Sequence, residues 1–266
     1  MTDQIFLGDC LDIMPNIHDK SIDMVLCDLP YGVLNKSNKH AKWDSVIPFE
    51  PLWQQYERIT KDNAAIVLFA QGMFTARLMM SNKKLWRYNL VWDKRLKTGF
   101  LNAKKMPLRQ HEDILVFYKK QPIYNPQMEK CEPHKRNHSR GKHLGNETNR
   151  CYGVFHPAKD LISDEKYPTS IITIAKEHIK GESWHPTQKP VDLLRYLIRT
   201  YTNVGGGSPG QHDGLGLYLR GGDKGETTLH RHREGRTLFR HRQTANTTRI
   251  TDTILTTIKN NDYENF

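Results

Sequence analysis

Apolar runs alternate with polar connections along the first two-thirds of this chain. Ile5-Phe6-Leu7 reads as a short strand that ends at Gly8-Asp9-Cys10. Ile22 to Cys27 reads as a second strand, and Ala64 to Phe69 as a third, fully apolar one. Tyr88 to Trp92 and Ile114 to Tyr118 predict two more. Between them, Phe49 to Ile59 has the spacing of a helix entered at Pro51, and Phe74 to Met80 has helical composition. Near-continuous Val/Ile/Leu strands separated by helices predict a mostly parallel sheet covered on both faces. This is the doubly wound α/β class, in which ligands bind at the carboxyl ends of strands. Asp9 and Asp28 both fall at such ends.

The pattern fades from Pro122 to about Tyr167, where Lys130, His134, Lys135, Arg136, His138, Arg140, Lys142 and His143 crowd together. A basic, phosphate-facing loop is the reading. Cys131, His134, His138 and Cys151 have no finger-like spacing, so no metal is expected. Order returns at Ser170 to Ile174. His185-Pro186-Thr187-Gln188-Lys189-Pro190 then leads into a helix with Val191, Leu194, Leu197 and Ile198 at helical spacing. Polar groups at a helix start can seat a carboxylate or phosphate, and an ordinary loop-to-helix entry fits equally.

Composition narrows the partner. The formal charge is +11 and the pI about 9.4, which favours a polyanion, most simply nucleic acid. The four scattered cysteines form no disulfide framework, and no signal or spanning segment is read, so a cytosolic setting is expected.

The chemistry concentrates in Asp28-Leu29-Pro30-Tyr31. A carboxylate at a strand end can accept a hydrogen bond from an exocyclic amine. Pro30 lacks an N–H and biases Leu29 toward an extended shape, which leaves the Leu29 carbonyl as a second acceptor. Tyr31 offers a ring on which a base can stack. Read by itself, the tetrapeptide also fits a strand-end turn with a buried tyrosine.

Asp28 to Tyr31, followed far downstream by His185 to Pro190, resembles the beta class of adenine-specific DNA methyltransferases. Gly8-Asp9-Cys10, Phe69 to Gly72 and His111 to Tyr118 support the resemblance, which runs from about Gln4 to Asn203. It implies a methyltransferase domain over 1–203 that uses S-adenosyl-L-methionine and acts on double-stranded DNA. It implies catalytic roles for Asp28, Leu29, Pro30 and Tyr31, and cofactor contacts from Asp9, Cys10, Thr187, Gln188 and Lys189. Leu29 departs from the family's usual proline, but the role belongs to a backbone carbonyl. Asp rather than Ser at the first position favours adenine over cytosine.

The resemblance stops after Asn203. A strand, a Gly-rich turn and a second strand ending in an acid should follow. Instead 204–266 is a basic tail rich in Gly, Arg, His and Thr, with no sustained apolar period. Such a tail is expected to be disordered or incomplete, leaving an open apolar edge in the sheet. The genetic code suggests its origin. Read one nucleotide later, the codons possible for Ser208 to Asp223 are compatible with VLDNTMGSGSTCVAA, and those for Leu229 to Gln243 with YIGIEKDARYFDIA. The missing turn and the missing acid both reappear, in order and in one shifted frame. A single-nucleotide slip near 203–205 is therefore expected.

Overall fold

The computed structural model describes residues 4–7, 9–33, 44–136, 161–176, 189–203, 215–220 and 226–231. The chain divides into two compact units, Met1–Asn125 with Ser170–Phe266, and Pro126–Thr169. In chain order the elements are β1 (Gln4–Leu7), α1 (Cys10–Ile13), β2 (Ile22–Asp28), α2 (Phe49–Ile59), β3 (Thr60–Ala70), α3 (Met73–Ser81), β4 (Trp86–Thr98) and β5 (Arg109–Phe117). They continue with β6 (Glu129–Arg136), β7 (Leu161–Lys166), β8 (Ile171–Thr173), α4 (Val191–Tyr201), β9 (Leu215–Arg220) and β10 (Glu226–Arg231).

One sheet organises the first unit, in the order β1-β10-β9-β2-β3-β5-β4-β8. β2 pairs in parallel with both β3 and β9, and β4 with β8. β5 is antiparallel to β3 and β4, and β10 to β1 and β9. Only β5 and β10 therefore run against the common direction, which is the mostly parallel α/β sheet that the apolar pattern predicts.

Alternation along the central strands builds two cores. Val25, Cys27, Ile66, Leu68, Leu115 and Phe117 face one side. There they meet Cys10 of α1, Leu52, Trp53, Tyr56 and Ile59 of α2, and Phe74 and Leu78 of α3. Met24, Leu26, Ala65, Val67, Phe69, Ile114 and Val116 face the other, against Leu193, Leu194, Leu197 and Tyr201 of α4. The period of two sends successive side chains of one strand to opposite faces, so both faces need helices.

Three departures from the sequence reading have local causes. β3 begins at Thr60, before its apolar run, because the ladder continues from Ile22↔Thr60 through a register shift before Met24. In the second unit, the stretch read as a basic loop holds an antiparallel β6–β7 ladder. Its pairs Glu129↔Lys166 and Lys130↔Glu165 set opposite charges across the strands, with Lys166 3.1 Å from Glu129, so charge rather than apolar period marks it. The tail also contributes strands. The expected open edge beside β2 is instead paired with β9, where Leu215, Leu217 and Leu219 recur at alternate positions over a run too short to signal a strand.

Candidate active site

β2 runs Met24 to Cys27 through the core and ends at Asp28, where β3 lies alongside with Phe69 opposite Asp28. Leu29 and Pro30 follow buried, and Tyr31 is half-buried. The turn that comes next is held by Asp44. Its carboxylate accepts from Gly32 N at 3.0 Å and Val33 N at 2.7 Å. Gly32 has φ +69, and a Cβ there would lie 2.7 Å from Val46 Cγ2, so the turn requires glycine on two counts. Asp28 to Tyr31 is thus pinned at both ends, by a core strand and by a buried carboxylate.

The Asp28 side chain is 12% exposed. Tyr31 Oη donates to Asp28 Oδ1 at 3.2 Å, and its ring stacks on Phe74 with centroids 5.1 Å apart. Burial and the nearby carboxylates of Asp28 and Glu112 push the Tyr31 hydroxyl well above its ordinary pKa, so it stays a donor. Lys189, immediately before α4, brings its ammonium 2.7 Å from Asp28 Oδ2. The same ammonium lies 5.1 Å from the Phe69 ring centroid and 5.8 Å from that of Tyr31.

A second carboxylate completes the cluster. Glu112 of β5 accepts from Lys94 of β4 at 3.1 Å through Oε1. Its Oε2 is buried 3.3 Å from Lys189 Nζ, without hydrogen-bond alignment. Two carboxylates and two ammonium groups therefore neutralise one another where water is largely excluded, as buried charges must. Burial pulls the Lys189 ammonium down, but Asp28 and Glu112 outweigh it and its pKa is raised. Burial pushes Glu112 up, but Lys189 and Lys94 outweigh it and its carboxyl is lowered. Lys176, half-buried nearby, is pulled down by burial together with the ammonium groups of Lys189 and Lys94.

The structure brings Asp28, Leu29, Pro30, Tyr31 and Lys189 together. Asp9 and Cys10 stand at the start of α1, and Cys10 is buried in the same core cluster as Leu29. Asp9 caps that helix, accepting from Leu11 N at 2.8 Å. Cys10 is buried, and burial with the Asp9 charge pushes its thiol up to about 11. Thr187 and Gln188 lie outside the described residues, as do Gly8, His138 and Cys151. Among the described residues no His/Cys/Asp/Glu group could hold a metal. Lys94, on β4, is buried on Glu112 and so turns inward rather than toward a phosphate. Glu112 and Asp44 were not singled out. Glu112 sits two residues before the apolar run Ile114-Leu115-Val116, inside the His111 to Tyr118 segment that supports the resemblance, with nothing local to mark it as a partner of Lys94 and Lys189.

The pattern of the DNA methylase family matches residues 22–207. Among solved structures, the chain is similar to PvuII DNA methyltransferase (cytosine-N4-specific), at TM-score 0.50 and 14% identity, over 74% of this chain and 70% of that one. It is also similar to the M1.HpyAVI–SAM complex, at TM-score 0.46 and 18% identity, over 76% of this chain and 78% of that one. The first of these likenesses bears on the fold alone. The family match runs from the first residue of β2 to beyond α4 and takes in both Asp28 and Lys189, so the chain belongs to the N6/N4 DNA methylase family, whose methyl donor is S-adenosyl-L-methionine.

Proposed function

We propose that this chain descends from a site-specific methyltransferase acting on the exocyclic amine of adenine in double-stranded DNA. It carries the base-binding half of that site in frame and the cofactor-binding half out of frame. The observation that carries the first part is the end of β2, where Asp28 presents a carboxylate beside the Leu29 carbonyl. An adenine amine is a poor nucleophile because its lone pair is delocalised into the ring. Two acceptors, one for each N–H, draw the nitrogen toward tetrahedral geometry and aim the lone pair. Positioning and local electrostatics of this kind supply most of the rate in group transfer. The base must leave the duplex to reach Asp28, and Tyr31 is the ring against which it stacks.

Lys189 adds a step to this account. With no base bound, its ammonium already occupies Asp28 Oδ2. An entering amine needs that oxygen, so Lys189 must share it or withdraw. Glu112 Oε2, buried 3.3 Å away without an aligned donor, can take the ammonium as it moves. The charge stays paired throughout, which avoids the large cost of an isolated buried ion.

The cofactor half fits less well. S-adenosyl-L-methionine supplies an activated methyl when bound, yet each described residue expected to hold it already has a structural partner. Asp9 caps α1, Cys10 is buried in the core, and Lys189 is engaged with two carboxylates. The family's Gly-rich turn is absent in the written frame. At the register of Asp28 the neighbouring β9 places Arg220. We therefore read the 204–266 tail as frameshifted.

The test is methyl transfer from labelled S-adenosyl-L-methionine to DNA, followed by nucleoside digestion. A frame-restored chain should yield N6-methyladenine and the 266-residue chain little or none. N4-methylcytosine or a methylated ribonucleoside would overturn the adenine reading. A second reading, a DNA-binding remnant without transfer, is favoured by the missing turn. Salt-dependent duplex binding by a frame-restored chain that never transfers a methyl group would support it.

A further inference from the structure

β4 and β5 form a hairpin whose tip is unlike the rest of the first unit. Every described residue from 97 to 109 is exposed. Four of them are large and apolar, namely Phe100 at 76%, Leu101 at 84%, Met106 at 58% and Leu108 at 39% exposure. Exposed single apolar residues are ordinary, but a run of them on one protrusion marks an interaction site. Interleaved with them are Lys97, Lys104, Lys105 and Arg109, and no Asp or Glu occurs between Lys94 and His111. The tip is therefore both cationic and apolar, which suits a polyanion with a stacked, apolar interior.

Its position follows from the topology. β4 runs in the same direction as β2 and β3, so the tip emerges at the end of the sheet that carries Asp28. Its base is tied down. Thr98 Oγ1 donates to the Arg109 carbonyl at 3.1 Å, and Arg109 Nη1 donates to Gln71 Oε1 at 2.7 Å, just past the end of β3. Gln71 Nε2 in turn donates to the His111 carbonyl at 3.2 Å. Gly99, at φ +88, turns the chain sharply into the Phe100–Asn102 helical turn, which presents Phe100 and Leu101 outward.

We infer that the 99–108 tip is a DNA wedge: Phe100 and Leu101 enter the base stack beside the nucleotide extruded toward Asp28, while Lys104 and Lys105 hold the flanking phosphates. This rests on the reading of DNA as the substrate. Extruding a base leaves a gap and unstacks its neighbours at a cost of a few kcal/mol, and apolar side chains inserted between base steps offset that cost. The lysines supply the sequence-independent, salt-sensitive part of the affinity.

Duplex binding by the full 266-residue chain, followed by fluorescence anisotropy with a labelled oligonucleotide, tests this without requiring catalysis. Phe100→Ser/Leu101→Ser should bind an intact duplex about tenfold more weakly than the parent chain. It should recover most of that loss on the same duplex carrying a mismatch, where the stack is already opened. Lys104→Ala/Lys105→Ala should weaken both duplexes alike and make the salt slope shallower by about two. All four positions are exposed, so thermal unfolding of both variants should match the parent. A serine variant that binds both duplexes as well as the parent overturns the wedge and leaves the substrate reading intact. So does one that is weakened equally on both, or one that loses only self-association. A parent chain that binds no duplex overturns the substrate reading and the wedge with it.

Discussion

Glu112 is the residue on which the buried charges balance. It pairs with Lys94 at 3.1 Å and with Lys189 at 3.3 Å, and its side chain is 14% exposed. Replacing it with Gln removes the carboxylate charge that faces Lys94 and leaves Lys189 paired with Asp28 alone. Removing one partner of a buried ion pair costs several kcal/mol, and Glu112→Gln should lower the stability to urea by about 3 kcal/mol at neutral pH. The sign of the pH dependence follows from the lowered carboxyl. A depressed folded-state pKa contributes stability that is complete above the unfolded value and is lost as pH falls through the folded one. The difference between parent and variant should therefore be full above the ordinary Glu value of 4.5 and close below it. A gap that persists unchanged into acid would contradict the ionic role. Asp28 to Tyr31 could be read from sequence because the chemistry is contiguous. Glu112 and Lys94 could not, because their partners come from β2, β4, β5 and the start of α4, and no local spacing records that meeting.

At the scale of elements, what could be read was what the apolar period controls. α2 spans Phe49–Ile59 as its spacing predicts, with Leu52, Trp53, Tyr56 and Ile59 buried at one-turn intervals. β2 and α4 follow their apolar runs closely, because both sheet faces are covered, whereas β5 begins at Arg109, five polar residues before its apolar run at Ile114. β6 and β7 escaped because cross-strand charge pairs stabilise them, and β9 because its three leucines extend over only one short strand. α4 matters beyond packing, since Lys189 stands two residues before its first residue, Val191. Leu194, 2% exposed against Met24, Leu26 and their neighbours, anchors the helix to the sheet. Leu194→Ala should cost about 2–4 kcal/mol in urea unfolding. A loss below about 1 kcal/mol would mean that the helix is not seated as described.

At the scale of the whole molecule the chain joins two unlike parts. From Gln4 to Asn203 the pattern of the chain, its strands and its charged cluster agree on one site, at the carboxyl end of β2. Beyond Asn203 the sequence shows neither the Gly-rich turn nor the acid-ended strand that the resemblance leads one to expect, although β9 and β10 pair with the sheet. Backbone ladders tolerate almost any side chain, so a strand can form from codons read out of frame. A binding turn cannot, because it depends on particular glycines and a particular acid. The direct test is calorimetric titration of S-adenosyl-L-methionine into the 266-residue chain and into a frame-restored one. The account predicts micromolar affinity for the restored chain and no saturable heat for the chain as written. Micromolar affinity in the 266-residue chain would contradict it.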